Sequence, residues 1–244
     1  MFIDIAFPGN NEEEFLKVLS KLETRAVCFA YRKEDFSKKD FSKLKNNSIK
    51  IYKALFLENS EINKAKQLRD KLKPDLVISN SVARTAFSKN VDVVFELENQ
   101  EKDYLRYINS GLDSAKAVLA LKYDILIGIS FSLVLNSQNS KIHRIISRMM
   151  QNVMLCRKKK INVVIASFAR KPFELRAYHE LFSFGFTLKT ESRQLKQSLK
   201  NNLYERIMFN KGINEGKIIE KGVEILSQEE INEILKKSKH KKMN

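Results

Sequence analysis

Seven short segments of this chain are almost continuously apolar, and no other feature constrains the fold as strongly. They are FIDIAF (2–7), RAVCFAY (25–31), IKIYKALF (49–56), DLVIS (75–79), VDVVFEL (91–97), DILIGIS (124–130) and NVVIAS (162–167). A strand with one wet face must alternate apolar and polar residues, whereas a strand covered on both faces need not. The runs therefore predict parallel strands lying between other layers. Amphipathic stretches separate them, among them NEEEFLKVLSKL (11–22), SEINKAKQLRDKL (60–72) and SAKAVLALKY (114–123), and their spacing predicts helices. Asn10 or Asn11 and Ser60 suit helix N-caps, Ser60 with Asn63 three residues on. Repeated βα units of this kind close into a barrel or wrap as an open sheet, and a TIM-like (β/α) barrel of irregular form is the expectation adopted.

Only seven Gly and three Pro occur, so connections must be tight and no linker divides the chain. One domain is expected over residues 1–235. After about residue 170 strand signals fade and helical patterning takes over at 172–186, 192–209 and 227–237, which predicts a helical C-terminal extension. The last residues, 236–244, carry too many like charges to fold alone and read as a mobile basic tail.

Charge narrows the choice of partner. Lys and Arg number 45 against 29 Asp and Glu, a formal net charge of +16. Basic side chains that bind phosphates release condensed counterions, so nucleic acid is the favoured partner. A membrane is disfavoured, because there is no apolar stretch near 18 residues and Trp is absent. Cys28 and Cys156 form no CxxC pair and read as buried thiols of a reducing compartment. The opening MFIDIAFPGN lacks the basic and long apolar regions of a secretory signal, and a cytoplasmic location is expected.

Residues for chemistry are scarce. The three histidines, His143, His179 and His240, form neither HxH nor HExxH and read as surface or packing residues. Neither GxGxxG nor GxxxxGK[ST] is present, which removes the usual Gly-rich phosphate cradles. Asp4 has no obvious partner carboxylate. No catalytic or metal-ligating set is assigned.

The informative stretch is 132–167. On a helix beginning near Asn139, Ile142, Ile145, Ile146, Met149, Val153 and Cys156 make an apolar stripe, while Lys141, Arg144, Arg148 and Asn152 share another face. Arg157, Lys158, Lys159 and Lys160 then end the helix. Cations suit the carbonyl end of a helix dipole, but four in a row exceed that need and favour phosphate contact. The strand over 162–167 leads into a loop and helix bearing Ser167, Arg170, Lys171 and Arg176, a location where α/β barrels place functional groups, and these are expected near the basic helix. Arginine suits phosphate through its planar, bidentate fork. Phe168 and Phe173 fit core packing better than base stacking.

The path from FSLVLNS (131–137) through RIISRMMQNVMLCRKKK (144–160) to VVIASFARKPFELR (163–176) resembles the archaeal ribonuclease P protein component 3 family, whose eukaryotic counterpart is the thirty-kilodalton ribonuclease P subunit. The likeness is strongest over 130–186 and extends to the FIDI and TRAV runs near the start. Where family members often carry Ser-Gly, this chain has Ser167 and Phe168; where some carry Arg-x-Pro, it has Arg176, Ala177 and Tyr178. The resemblance implies a barrel related to the polymerase and histidinol phosphatase superfamily, and a part in removing the 5′ leader of precursor tRNA within an endonuclease complex. It implies that catalysis and magnesium belong to the RNA subunit, that this chain binds no cofactor of its own, and that it pairs with protein component 2 in a heterotetramer beside the other protein subunits. An RNA-facing role carries over to Arg170, Lys171 and Arg176. The helix cations Lys141, Arg144, Arg148, Arg157, Lys158, Lys159 and Lys160 are added on spacing alone.

Two rivals stand beside the RNA-binding subunit. A free-standing metal-dependent barrel phosphoesterase would need a metal site that three scattered histidines do not supply. A protein-interaction scaffold would leave the charge incidental.

Overall fold

The computed structural model describes residues 1–39, 48–103, 105, 108–220 and 222–224. All seven apolar runs form strands: β1 Asp4–Ala6, β2 Ala26–Arg32, β3 Lys50–Leu57, β4 Leu76–Ser79, β5 Val93–Phe95, β6 Leu126–Ser130 and β7 Val163–Ala166. They are parallel and lie side by side in sequence order. The ring closes between its first and last members. Ala6 bridges Ala169, the amide of Phe7 donates to Ala169 O at 2.7 Å, and the amide of Ala169 donates to Ile5 O at 3.2 Å. Helices α1 Glu12–Lys21, α2 Lys33–Lys38, α3 Ala65–Leu72, α4 Ser114–Lys122, α5 Phe131–Leu135 and α6 Asn139–Lys159 occupy the connections.

Two buried clusters explain why the strand sequences need not alternate. Val27, Phe29, Leu55, Leu57, Val77, Val94 and Ile127 face the helices, where they meet Phe15, Leu19, Met149 and Val153. The intervening residues, including Ile5, Cys28, Tyr52, Ala54, Ile78, Val93 and Val164, fill the inside of the ring. Both faces are therefore dry, as the apolar runs require. Cys28 and Cys156 are free, buried thiols.

The helical extension has a definite task. Helices α7 Tyr178–Thr187, α8 Ser192–Lys196 and α9 Asn202–Asn214 follow β7, and α9 inserts Leu203 and Ile207 into the inner cluster. Its polar residues reach the N-terminal ends of the strands. Asn202 donates to Val163 O at 2.8 Å and Asn210 to Asp75 O at 3.0 Å, while Arg206 pairs with the Asp124 carboxylate at 3.0 Å. Helix α9 is thus a stopper for that mouth of the barrel, and Asp92 is its anchor. The Asp92 carboxylate, almost fully buried, accepts from Arg69 at 2.9 Å, the Val77 amide at 2.7 Å and Asn210 at 3.1 Å.

Some local expectations need correction. Ser60 caps no helix: a 3-10 turn over Ile62–Lys64 comes first and α3 starts at Ala65, because Glu58–Glu61 is already turned by the Glu61 amide bonding to Glu58 O. Asn11 does sit at the N-cap of α1, but its side chain bonds Glu14 and leaves the backbone amides uncapped. A small antiparallel pair, β8 Ile218–Glu220 and β9 Val223–Glu224, follows α9, between the expected helices over 192–209 and 227–237, where no strand was expected. The expected helix over 227–237 and the basic tail at 236–244, with His240, lie outside the described residues.

Candidate nucleic-acid interface

In barrels of this kind chemistry is placed at the C-terminal ends of the strands. Here that mouth is occupied by rings. Phe7, Phe56, Phe95 and Phe168 contact one another, with Phe95 and Phe168 stacked at 4.6 Å between centroids and Phe7 lying 5.5 Å from Phe56 and 5.6 Å from Phe95. Phe168 adopts φ +49°, a left-handed conformation costly for a bulky residue, so its ring can turn inward while Ala169 still bridges to β1. Gly128 on β6 makes the space: a Cβ there would sit 2.7 Å from the Phe95 Cβ and 2.8 Å from the Phe168 ring. The glycine is required by close approach.

Asp4 ties the seam. Its Oδ1 accepts the amides of Ser167 at 2.7 Å and Ile5 at 2.9 Å, joining chain positions 163 residues apart. Burial pushes its carboxyl up to about 6, with the hydrogen bonds from Ser167 and Ile5 working in the opposite direction. Asp4 is a structural suture. Among the described residues no group of three or more His, Cys, Asp or Glu side chains is placed to hold a metal ion. His143 and His179 are exposed.

Outside the aromatic plug, the loop after β7 is held rigidly from below. Buried Glu174, on the 3-10 turn Pro172–Glu174, accepts the Arg170 amide at 2.7 Å and the Lys171 amide at 3.3 Å through one oxygen, and Asn136 of the α5–α6 turn at 3.0 Å through the other. Ser167 accepts the Arg176 amide, and Ser132 donates to Ser167 O at 2.7 Å. The loop's side chains then project outward from a fixed backbone. Arg170 pairs with Glu96 at 2.8 Å and keeps nearly half its side chain in solvent. Lys171 is exposed, and Arg176 is half-buried, held by Phe173 O and Leu175 O at 2.8 Å each with its guanidinium 4.9 Å from the Phe131 ring centre.

The helix cations divide into three cases. Lys141 and Arg144 are exposed near the start of α6, Arg144 lying 3.7 Å from Asp103. Arg148 is not a surface residue at all: it is 1% exposed and bonds Glu98 O at 2.9 Å, Gln100 O at 2.6 Å and the Asp103 carboxylate at 2.7 Å. Four hydrogen bonds engage this guanidinium, and its burial keeps it from phosphate. Asn152, one turn on, is buried too and donates to Glu98 Oε1 at 2.6 Å. Burial pushes the Glu98 carboxyl up to about 7 against that hydrogen bond. Together Arg148 and Asn152 clamp the segment after β5 onto α6.

Arg157, Lys158, Lys159 and Lys160 are exposed at the far end of α6, with Arg157 3.1 Å from Glu191 and Lys160 in a left-handed C-cap. That end feeds the N-terminal end of β7, whereas Arg170, Lys171 and Arg176 follow its C-terminal end. A helix of 21 residues is about 30 Å long, so the two basic groups stand at opposite ends of the barrel instead of merging as the sequence suggested.

Sequence reasoning missed Glu174 as the loop's clamp, and it placed Phe173 in the core. Phe168 is core, but Phe173 is 63% exposed. A signal for Arg148 was present: 145, 148, 149, 152, 153 and 156 form one continuous i, i+3, i+4 stripe, and all six are buried.

A parallel barrel with a plugged mouth and a rigid basic rim defines a binding scaffold of the TIM-like class. Sequence comparison narrows it. The RNase P subunit p30 family matches residues 1–212, and the chain belongs to that family. Ribonuclease P protein component 3 of Methanocaldococcus jannaschii is 25% identical over 232 residues, covering 89% of this chain and 95% of the relative. The protein of the same name from Methanosarcina acetivorans is 28% identical over 139 residues, 55% of this chain and 57% of the relative. The fold is similar to a chain in the cryo-EM structure of archaeal ribonuclease P with mature tRNA, at TM-score 0.78 and 24% identity, over 93% of this chain and 99% of that one. It also resembles the histidinol phosphate phosphatase of Lactococcus lactis, solved with zinc, L-histidinol and phosphate, at TM-score 0.51 and 10% identity, over 77% of this chain and 92% of that one.

Proposed function

We propose that this chain is a non-catalytic protein subunit of ribonuclease P that binds the RNase P RNA and supports removal of the 5′ leader from precursor tRNA. The observation that carries the non-catalytic part is the floor of the C-terminal mouth: Phe7, Phe56, Phe95 and Phe168 close the ring interior where a barrel hydrolase would seat its reacting groups, and the cavity of about 720 Å³ above them is lined by Arg32, Glu58, Asn80 and Arg170 and, among the described residues, by no histidine. Family membership over residues 1–212 supports the assembly. The net charge of +16 supports RNA as the partner, since each phosphate contact releases counterions. Chemistry then falls to the RNA, with magnesium held there and not by this chain.

Arg170, Lys171 and Arg176 form one RNA-facing group, with Lys141 and Arg144 at the same end of the barrel; Arg157, Lys158, Lys159 and Lys160 form a second about 30 Å away. Pairing with protein component 2 in a heterotetramer is part of the proposal, and so are the other protein subunits and a cytoplasmic setting. Among the described residues no helix is long and apolar enough to cross a membrane.

The test is precursor-tRNA cleavage by RNase P RNA reconstituted with the other protein components at low magnesium, with and without this chain. Loss of cleavage on omission, with none by the protein alone, is expected. Cleavage by the isolated chain would restore the phosphoesterase reading, and unchanged cleavage on omission would remove the subunit reading.

A further inference from the structure

Phe173, 63% exposed, is the most exposed aromatic ring among the described residues. It sits at the centre of a short 3-10 turn whose backbone is fixed by the buried Glu174 carboxylate, so its place in space is set by the barrel and not by the ring itself. The Lys171 ammonium lies 5.8 Å from the centre of its ring, and Arg176 bonds Phe173 O. Arg170 stands on the same loop with its guanidinium 5.7 Å from the Phe7 ring. A solvent-facing ring on a rigid turn costs little entropy to dock, and with Lys171 over one face it offers the other to a base. That combination suits a nucleotide: the base covers the ring while its phosphates meet Lys171 and Arg176.

We propose that Phe173 is a stacking platform for one unpaired base of the RNA, with Lys171 and Arg176 holding the flanking phosphates. This deepens the proposed function and rests on it. An apolar anchor for a protein partner would need a pocket-filling side chain with a dry surround. Here the surround is Lys171, Arg170 and Arg176, so RNA is the occupant the charges favour.

The test separates stacking from charge. Stacking releases no counterions, so Phe173→Ala is expected to weaken binding of the reconstituted protein complex to RNase P RNA by about fivefold to a hundredfold at every salt concentration, with the salt slope unchanged. Lys171→Ala is expected to lower that slope by about one unit. Because the chain has no Trp, Phe173→Trp introduces a single indole as a reporter. Its emission is expected to be quenched when RNase P RNA is added and not when the protein partners alone are added. Thermal unfolding of each variant checks the fold, which an exposed position barely affects.

Unchanged affinity in Phe173→Ala, with salt-dependent RNA binding intact, would overturn the platform and leave the subunit reading standing. An emission change on adding protein partners alone would overturn it in favour of a protein contact. Failure of the complex containing the unaltered chain to bind RNA would overturn the underlying reading.

Discussion

The two mouths of the barrel are closed by opposite means. At the N-terminal end of the strands the stopper is a separate helix, α9, held by hydrogen bonds and ion pairs that converge on Asp92, Asp75 and Asp124. At the C-terminal end the strands and the loop after β7 themselves turn four phenylalanines inward, while Lys171 and Phe173 stand outside in solvent. The difference shows how a barrel gives up an interior site while keeping its rim. Aromatic closure needs no partner groups at the surface, so the loop above it is free to carry Arg170, Lys171 and Arg176. Polar closure uses up the charges of α9 on the strand ends, so the exposed cations at that end, Arg157 to Lys160, come from α6 instead.

The comparison can be broken most forcefully at Asp92. Asp92→Ala strands Arg69, Arg206 and the Val77 amide around a buried gap, and should cost about 3–5 kcal/mol in urea unfolding. At the other mouth Phe168→Ala opens a cavity inside the ring. A loss of about 3 kcal/mol is expected, Phe95 shifting to fill part of the cavity. Gly128→Ala drives a methyl against Phe95 and Phe168, with an expected loss of about 1–3 kcal/mol. If either C-terminal variant proved neutral, the mouth would not be close-packed and room for a ligand would have to be reconsidered.

The smallest effect is the sharpest in sign. The Asp4 carboxyl titrates from an ordinary 3.8 to about 6 on folding, so the fold favours its protonated form. Its contribution is fully present below about pH 4 and is lost as pH rises through about 6. Asp4→Asn keeps an oxygen for the Ser167 and Ile5 amides and should flatten stability against pH over that window, leaving the later fall contributed by Glu98, whose carboxyl is pushed up to about 7. Denaturation midpoints measured from pH 4 to pH 8 would decide it. An unchanged slope in the variant would mean that Asp4 is ionised in the folded protein throughout.

The strands were legible because burial on both faces leaves a local mark in each of the seven runs, and α6 was legible because its apolar stripe is long. The barrel was one of two closures the sequence allowed, and the bridge between Ala6 and Ala169 decides between them. What could not be read were roles set by distant partners. Arg148 shares helical spacing with Lys141 and Arg144 as well as with the buried stripe, and its three acceptors, which settle the matter, lie around residues 98–103. Glu174 carries no local mark of its role, and only the fold brings Asn136 beneath it. Phe173 and Phe168 share a loop and a residue type, and nothing local tells the inward ring from the outward one.

The seam between β1 and β7 also orders events in time. Asp4 waits for Ser167, so the first strand keeps an unpaired edge until some 163 further residues have been made. At about 5–20 residues per second that is on the order of ten seconds or more of synthesis. Ring closure therefore waits for the last of the seven strands, and docking of α9 follows it. The segment that completes the ring is the same one that displays Arg170, Lys171 and Phe173, so a chain presents its basic rim only once its barrel is shut.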